Sequence, residues 1–160
     1  MIRERLGKDL LFFDGGMGTL LQEEGLLPGE LPESWNITHP EIIQSIHRKY
    51  IEAGSDIILT NTFGANALKF HDDTLSLKAI VQTAVSHVHA AAKAAACGRR
   101  IYTALDIGPT GKLLKPMGDL DFETAYEAFK EVMVYGSEAG VDVIHIETMS
   151  DTYELKAAVL

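Results

Sequence analysis

Four apolar runs in this sequence each end in side chains that could hold a polar small molecule. Leu10-Leu11-Phe12-Phe13 ends in Asp14, Asp56-Ile57-Ile58-Leu59-Thr60 in Asn61 and Thr62, Arg100 to Leu105 in Asp106, and Val141 to Ile146 in Glu147 and Thr148. Polar groups above apolar strand bodies are what a site on the carboxyl rim of a parallel sheet requires. Asp14 runs straight into Gly15-Gly16-Met17-Gly18. Three glycines in four residues permit positive φ and let a ligand come close to the main chain. Turns and caps favour Asp, Asn and Thr too, so Asp14 alone reads equally as a turn aspartate, and Asp106 is expected to serve a turn. The recurrence at four strand ends carries more than any one residue.

The elements that would position these groups alternate. The first apolar run reads as a strand covered on both faces, emptying into the glycine turn and then a helix-like pattern. Leu26 to Trp35 holds Pro28, Gly29 and Pro32 and is a loop long enough to cover something. A helix follows, capped by Thr38, with Pro40 in its first turn, Ile42, Ile43, Ile46 and Tyr50 at helical spacing, and Gly54 at its end. Leu75 to Ala96 predicts a second long helix closed by Gly98, and Asp121 to Ala139 a third capped by Asp121. A last helix begins at Asp151.

One repeat supports this alternation. Glu52-Ala53-Gly54-Ser55-Asp56-Ile57-Ile58 is matched by Glu138-Ala139-Gly140-Val141-Asp142-Val143-Ile144, in each case a helix end, a glycine cap and a strand start. Strands alternating with helices of this length form right-handed βαβ units and a parallel sheet. The expected fold is therefore α/β, the first four βα units of a (β/α)8 barrel, with the apolar segment up to Leu160 reading as cut within a helix.

Bulk properties narrow the function. The 160 residues carry 46% hydrophobic and 23% charged side chains with a formal net charge of −9, enough for one domain with a sizeable core. That charge offers no footprint for nucleic acid or an anionic membrane surface. No 18-residue apolar run and no secretory signal are visible, so a cytoplasmic setting is the expectation. Cys97, the one cysteine, reads as helical core filler.

Other chemistries fit poorly. Gly16-Met17-Gly18-Thr19-Leu20-Leu21 has leucine where the dinucleotide fingerprint needs its third glycine. Gly108-Pro109-Thr110-Gly111-Lys112 is too short for a phosphate loop and is followed by Leu113 rather than Ser or Thr. His87 and His89 are two apart on an expected helix and diverge, while His39, His47, His71 and His145 show no ligand spacing. A surface or satisfied core role is expected for each.

Together, Asp14-Gly15-Gly16-Met17-Gly18-Thr19, Pro32-Glu33-Ser34-Trp35-Asn36, Ile46 to Asp56, Thr60-Asn61-Thr62-Phe63-Gly64-Ala65-Asn66, Gly108-Pro109-Thr110-Gly111 and Glu147-Thr148-Met149-Ser150-Asp151 resemble the homocysteine S-methyltransferase family. The resemblance is to its homocysteine-binding barrel, in particular the amino-terminal one of cobalamin-dependent methionine synthases. It implies a barrel that presents homocysteine sulfur, as a zinc thiolate, to a methyl donor. A thiol of pKa about 8.5 is mostly protonated at neutral pH, and metal coordination supplies the thiolate. The family's three zinc cysteines lie on later strands; Cys97 matches none of them. By the family's pattern Asp14 and Glu147 face the substrate ammonium, the amides of Gly15 and Gly16 its carboxylate, and Asn61, Thr62 and Phe63 the pocket floor, with Asp106 and Thr148 weaker members.

The resemblance thus implies residues 1–160 as the amino-terminal half of the barrel, with homocysteine, a methyl donor and the remaining half of the barrel as partners. The donor is methylcobalamin on a separate domain in methionine synthases and betaine or S-methylmethionine elsewhere. A chain without the zinc cysteines is expected to be inactive alone. The alternatives are a catalytically inactive half-barrel acting only in binding or assembly, and a nucleotide-binding domain resting on the incomplete glycine patterns.

Overall fold

The computed structural model describes residues 2–70 and 75–160, which leaves His71 outside the described residues. A short helix α1 (Ile2–Arg5) precedes the first apolar run, and α2 (Met17–Glu23) follows the glycine turn. A 3-10 turn (Pro32–Ser34) leads into α3 (Trp35–Thr38) and α4 (Pro40–Ala53). Strands and helices then alternate as β1 (Ile57–Leu59), α5 (Leu77–Ala95), β2 (Tyr102–Ile107), α6 (Phe122–Ala139), β3 (Val143–Ile146) and α7 (Thr152–Val159). The strands are parallel in the order β1-β2-β3. Their helices pack side by side, α4 on α5, α5 on α6 and α6 on α7.

Periodicity explains which faces are buried. Ile43, Ile46 and Ile51 on α4, Ile80, Val81, Ala84, Val85 and Val88 on α5, and Ala125, Ala128, Phe129 and Val132 on α6 recur at helical spacing and are buried. Every residue of β2 is buried. Leu105 and Ile107 join the core beneath α6, whereas Tyr102 and Ala104 pack with Ile57 on the other face. Alternation of side chains along the strand places Asp106 on the same face as Tyr102 and Ala104, one step beyond them at the carboxyl end.

The repeat is structural in full. Gly54 and Gly140 end α4 and α6 with φ of 119° and 88°, the left-handed cap that glycine takes without strain. The aspartate that follows each ties neighbouring chain segments: Asp56 accepts from the Phe12 amide at 3.1 Å and Asp142 from the Thr103 amide at 3.0 Å. Each also pairs with an arginine, Arg99 at 3.2 Å and Arg100 at 2.7 Å.

Several local expectations are corrected. The first strand contracts to a parallel bridge between Phe13 and Ile57, with Phe12 and Asp14 bonding the β1 segment on one side only. Leu10, Phe12 and Phe13 are exposed rather than covered on both faces; a segment paired on a single side is an edge, and its pairing stops early. Thr38 does not cap α4. It ends α3, with its hydroxyl on the Ser34 carbonyl and His39 Nδ1, and His39 takes the cap position. Helix α5 closes at Ala96, which has φ 44°, before Gly98 is reached. Asp121 occupies the α6 cap position without a side-chain cap bond, its carboxylate going to Lys115 at 2.9 Å. Cys97 is exposed and not core filler.

Candidate functional site

A cavity of about 440 Å³ opens at the carboxyl ends of the strands. Asp14, Gly15, Gly16, Asn61, Phe63 and Glu147 line it, as do Asp106, Glu33 and the backbone stretch from Leu59 to Thr60. Thr62 and Thr148 are not among the lining residues. The Thr62 hydroxyl lies behind the wall, donating to the Asp106 carbonyl at 2.8 Å and bonded to Thr60 Oγ1 at 2.7 Å. Thr148 is exposed with φ 59°.

Asp14 is held by its neighbours in the sheet. Its amide donates to the Ile57 carbonyl at 3.0 Å, and its two carboxylate oxygens accept from the Leu59 amide at 3.1 and 3.2 Å. Burial, partly opposed by these amides and reinforced by the charge of Glu147, pushes the Asp14 carboxyl up to about 7. The glycines after it serve close approach rather than positive φ, since none of Gly15, Gly16 and Gly18 lies in the left-handed region. A Cβ on Gly15 would stand 2.8 Å from the Tyr50 hydroxyl oxygen.

Asp106 is not a turn residue. It is the penultimate residue of β2 and 6% exposed. Its main chain is fixed by the Thr60 and Thr62 hydroxyls, whereas its Oδ1 is buried without a hydrogen-bond partner. Desolvation first, then the like charges of Glu147, Asp14 and Glu33, push this carboxyl up to about 8. Glu147 follows β3, its amide donating to the Ile107 carbonyl at 3.0 Å and its carboxylate lying 3.6 Å from His145 Nε2.

The opposite wall comes from the proline-bearing loop, which does cover something. Glu33 folds inward and accepts from the Gly64 amide at 2.6 Å, 3% exposed, with Oε2 buried and unpartnered. Burial raises the Glu33 carboxyl, partly offset by its Gly64 bond and by Lys69. Asn61 donates to the Pro32 carbonyl at 2.8 Å and exchanges bonds with Asn36, whose Nδ2 donates to the Asn61 carbonyl at 2.8 Å. The Asn36 carbonyl in turn bonds His87 Nε2 at 2.7 Å, and His87 Nδ1 bonds Gln44 at 2.9 Å. Sequence reasoning passed over Glu33. Its motif was visible, but nothing in its spacing says that the loop returns a carboxylate to Gly64.

The histidines are not alike. His39 stacks on Trp35 with ring centroids 4.1 Å apart, and His89 is exposed. His47 departs from expectation: it is wholly buried and neither ring nitrogen has a partner. Burial lowers its pKa to about 3. Among the described residues no group of three or more His, Cys, Asp or Glu is arranged to hold a metal ion. Cys97 lies just before β2, at the end of the strand opposite the cavity.

Parallel strands taken in chain order, helices packed side by side along them and carboxylates gathered around a cavity at the strands' carboxyl ends define the opening βα units of a (β/α)8 barrel. The model of the homocysteine S-methyltransferase family matches residues 11–160, and the chain belongs to that family. It is 32% identical over 165 residues to methionine synthase of Mycobacterium tuberculosis and 31% identical over 166 residues to that of Mycobacterium leprae. These matches take in 97% and 98% of this chain and 14% of each relative. The metallated form of the homocysteine methyltransferase MmuM from Escherichia coli has the same fold, with a TM-score of 0.83 at 22% identity over 98% of this chain and 60% of that one. Its apo form superposes with a TM-score of 0.74. No helix of the described residues is long and apolar enough to cross a membrane.

Proposed function

We propose that residues 1–160 form the amino-terminal half of a homocysteine-binding barrel, within a zinc-dependent homocysteine S-methyltransferase of methionine-synthase type. The observation that carries this is the meeting of Asp14 and Glu147 across one cavity with the glycine turn, close enough for the charge of Glu147 to act on Asp14. Two carboxylates suit the ammonium of an amino acid, and the amides of Gly15 and Gly16 border the same space for its carboxylate. Phe63 and Leu59 supply apolar surface for the methylene chain. A cavity of about 440 Å³ lies in the range of small-ligand sites.

The role assigned to these residues is to bind and orient. The Leu59 amide fixes the Asp14 carboxylate before substrate arrives, so little ordering remains to be done on binding. An arriving ammonium favours the ionised form of Asp14 and lowers its proton affinity. No group among the described residues is arranged to hold zinc, so the metal that generates the thiolate in this reading is held by other residues. The methyl donor, methylcobalamin or another, likewise has no contact assigned here, and the chain alone is expected to give no turnover.

Isothermal titration of the chain with homocysteine and with 4-mercaptobutanoate, which lacks the ammonium, tests the reading. Homocysteine is expected to bind at least about tenfold more tightly, the worth of one charged hydrogen bond. Equal affinity, or no homocysteine binding, would overturn the assignment. A second reading, an assembly module that pairs with another half-barrel, is favoured by the exposure of Phe12, Phe13 and Ile144 along the sheet. A monodisperse monomer in light scattering would dismiss it.

A further inference from the structure

Asp106 combines features that a turn or packing role leaves unexplained. It is 6% exposed, stands at the end of the central strand, lines the cavity and leaves Oδ1 buried without a partner. Its backbone is already fixed by the Thr60 and Thr62 hydroxyls, so the carboxylate is not needed to hold the strand. Among the described residues the charged side chains acting on it are Glu147, Asp14 and Glu33, all of its own sign. Glu33 differs, because Gly64 takes one of its oxygens and Lys69 offsets its charge. A buried acceptor surrounded by like charge is costly unless a cation completes it.

We infer that Asp106 is the third acceptor of the substrate ammonium, so that Asp14, Asp106 and Glu147 each take one of its three N–H donors and restrict the site to primary amines. This rests on the amino-acid-binding reading above. A primary ammonium carries three donors, and the sheet offers the cavity three carboxylates, from the Phe13 edge, from β2 and from the end of β3, with β1 lying between the first two. An N-methylated ammonium has one donor fewer and a methyl group in its place. It leaves one carboxylate buried and unpaired, and the site selects against it. The raised proton affinities of Asp14 and Asp106 add a consequence: near neutrality the empty site holds protons that an incoming ammonium displaces.

Titration of the chain with homocysteine and N-methylhomocysteine, for wild type, Asp106→Asn, Asp14→Asn and Glu147→Gln, decides the matter. Wild type is expected to prefer homocysteine by about tenfold or more. Asp106→Asn is expected to weaken homocysteine about tenfold and to narrow that preference to about twofold. Asp106→Asn removes like-charge repulsion without changing volume, and its thermal unfolding reports whether it folds. As a second measurement, wild-type titrations at pH 7.5 in buffers of different ionisation enthalpy should show proton release that the variant reduces. Unchanged affinity and preference in Asp106→Asn, with binding lost in Asp14→Asn and Glu147→Gln, overturns the inference and leaves the functional reading standing. Unchanged binding in all three variants overturns both.

Discussion

The Tyr50 hydroxyl donates to the Gly16 carbonyl at 3.1 Å while its ring packs over the bare Cα of Gly15, so a tyrosine on α4 braces the turn that carries Asp14. Replacing Gly15 with alanine sets a carbon 2.8 Å from that hydroxyl oxygen, and the ring must swing away. Gly15→Ala is expected to weaken homocysteine binding about tenfold while lowering stability by only about 1 kcal/mol, because the obstructing atoms belong to the tip of a side chain. Calorimetric titration with parallel thermal melts checks both halves.

Gly108 makes the same demand on Phe63. A Cβ there would lie 2.5 Å from the ring, which lines the cavity and has core behind it. Gly108→Ala is expected to cost about 1–3 kcal/mol by overpacking and to weaken substrate as well. Denaturant unfolding would show a lower midpoint at unchanged slope; an unchanged midpoint would mean that the ring has somewhere to go.

Stability of the free chain should fall as pH rises from about 6.5 to 8. Asp14 and Asp106 have folded-state values of about 7 and about 8 against 3.8 for an unperturbed carboxyl. The folded state therefore binds more protons than the unfolded one through this interval, and raising the pH favours unfolding. His47 acts with the opposite sign, but only between about 3 and 6.5, where its unfolded form takes up the proton. Melting temperatures from pH 6.5 to 8 should decline for wild type and stay nearly flat for the Asp14→Asn, Asp106→Asn double variant.

His47→Leu is expected to stabilise the chain by about 1–2 kcal/mol. Both ring nitrogens are buried without partners, and exchanging an unsatisfied polar group for an apolar one of similar size recovers its desolvation cost. Chemical denaturation at pH 7 measures this. A loss of stability would show that the imidazole has a partner in solution.

Asn36 is the joint between the cavity's loop wall and α5. Asn36→Ala removes both side-chain bonds to Asn61 while leaving the His87 contact to its carbonyl. The Asn61 carbonyl and one of its two amide donors are left without these partners in a buried setting, while the amide keeps Pro32, so the expected cost is about 2–3 kcal/mol, with a slackened loop. Unfolding curves and homocysteine affinity should worsen together.

The parallel order, the helices and the rim position of Asp14, Asn61 and Glu147 were legible in sequence because they rest on periodicity, glycine caps and strand ends. The first strand was misread because apolar content does not reveal how many neighbours a segment has; Phe12 and Phe13 are paired on one side only. The side-chain caps expected of Thr38 and Asp121 do not form because His39 Nδ1 and Lys115 compete for the same oxygens. Asp106 was undervalued for a related reason. An aspartate before Gly108-Pro109 has turn chemistry, and only the sheet register shows that it shares a face with Ala104 and belongs to the strand.

Because β2 is paired along both edges and buried at every residue, its amides can exchange with solvent only when the sheet itself opens. Asp106 thus rides on the segment whose hydrogens should be replaced last. The facing carboxylate of Glu33 rides on a loop tied back through Gly64 and Asn61. The two walls of the cavity therefore answer to different clocks: one is set by opening of the whole sheet, and the other by release of the local bonds from Gly64 to Glu33 and from Asn61 to Pro32.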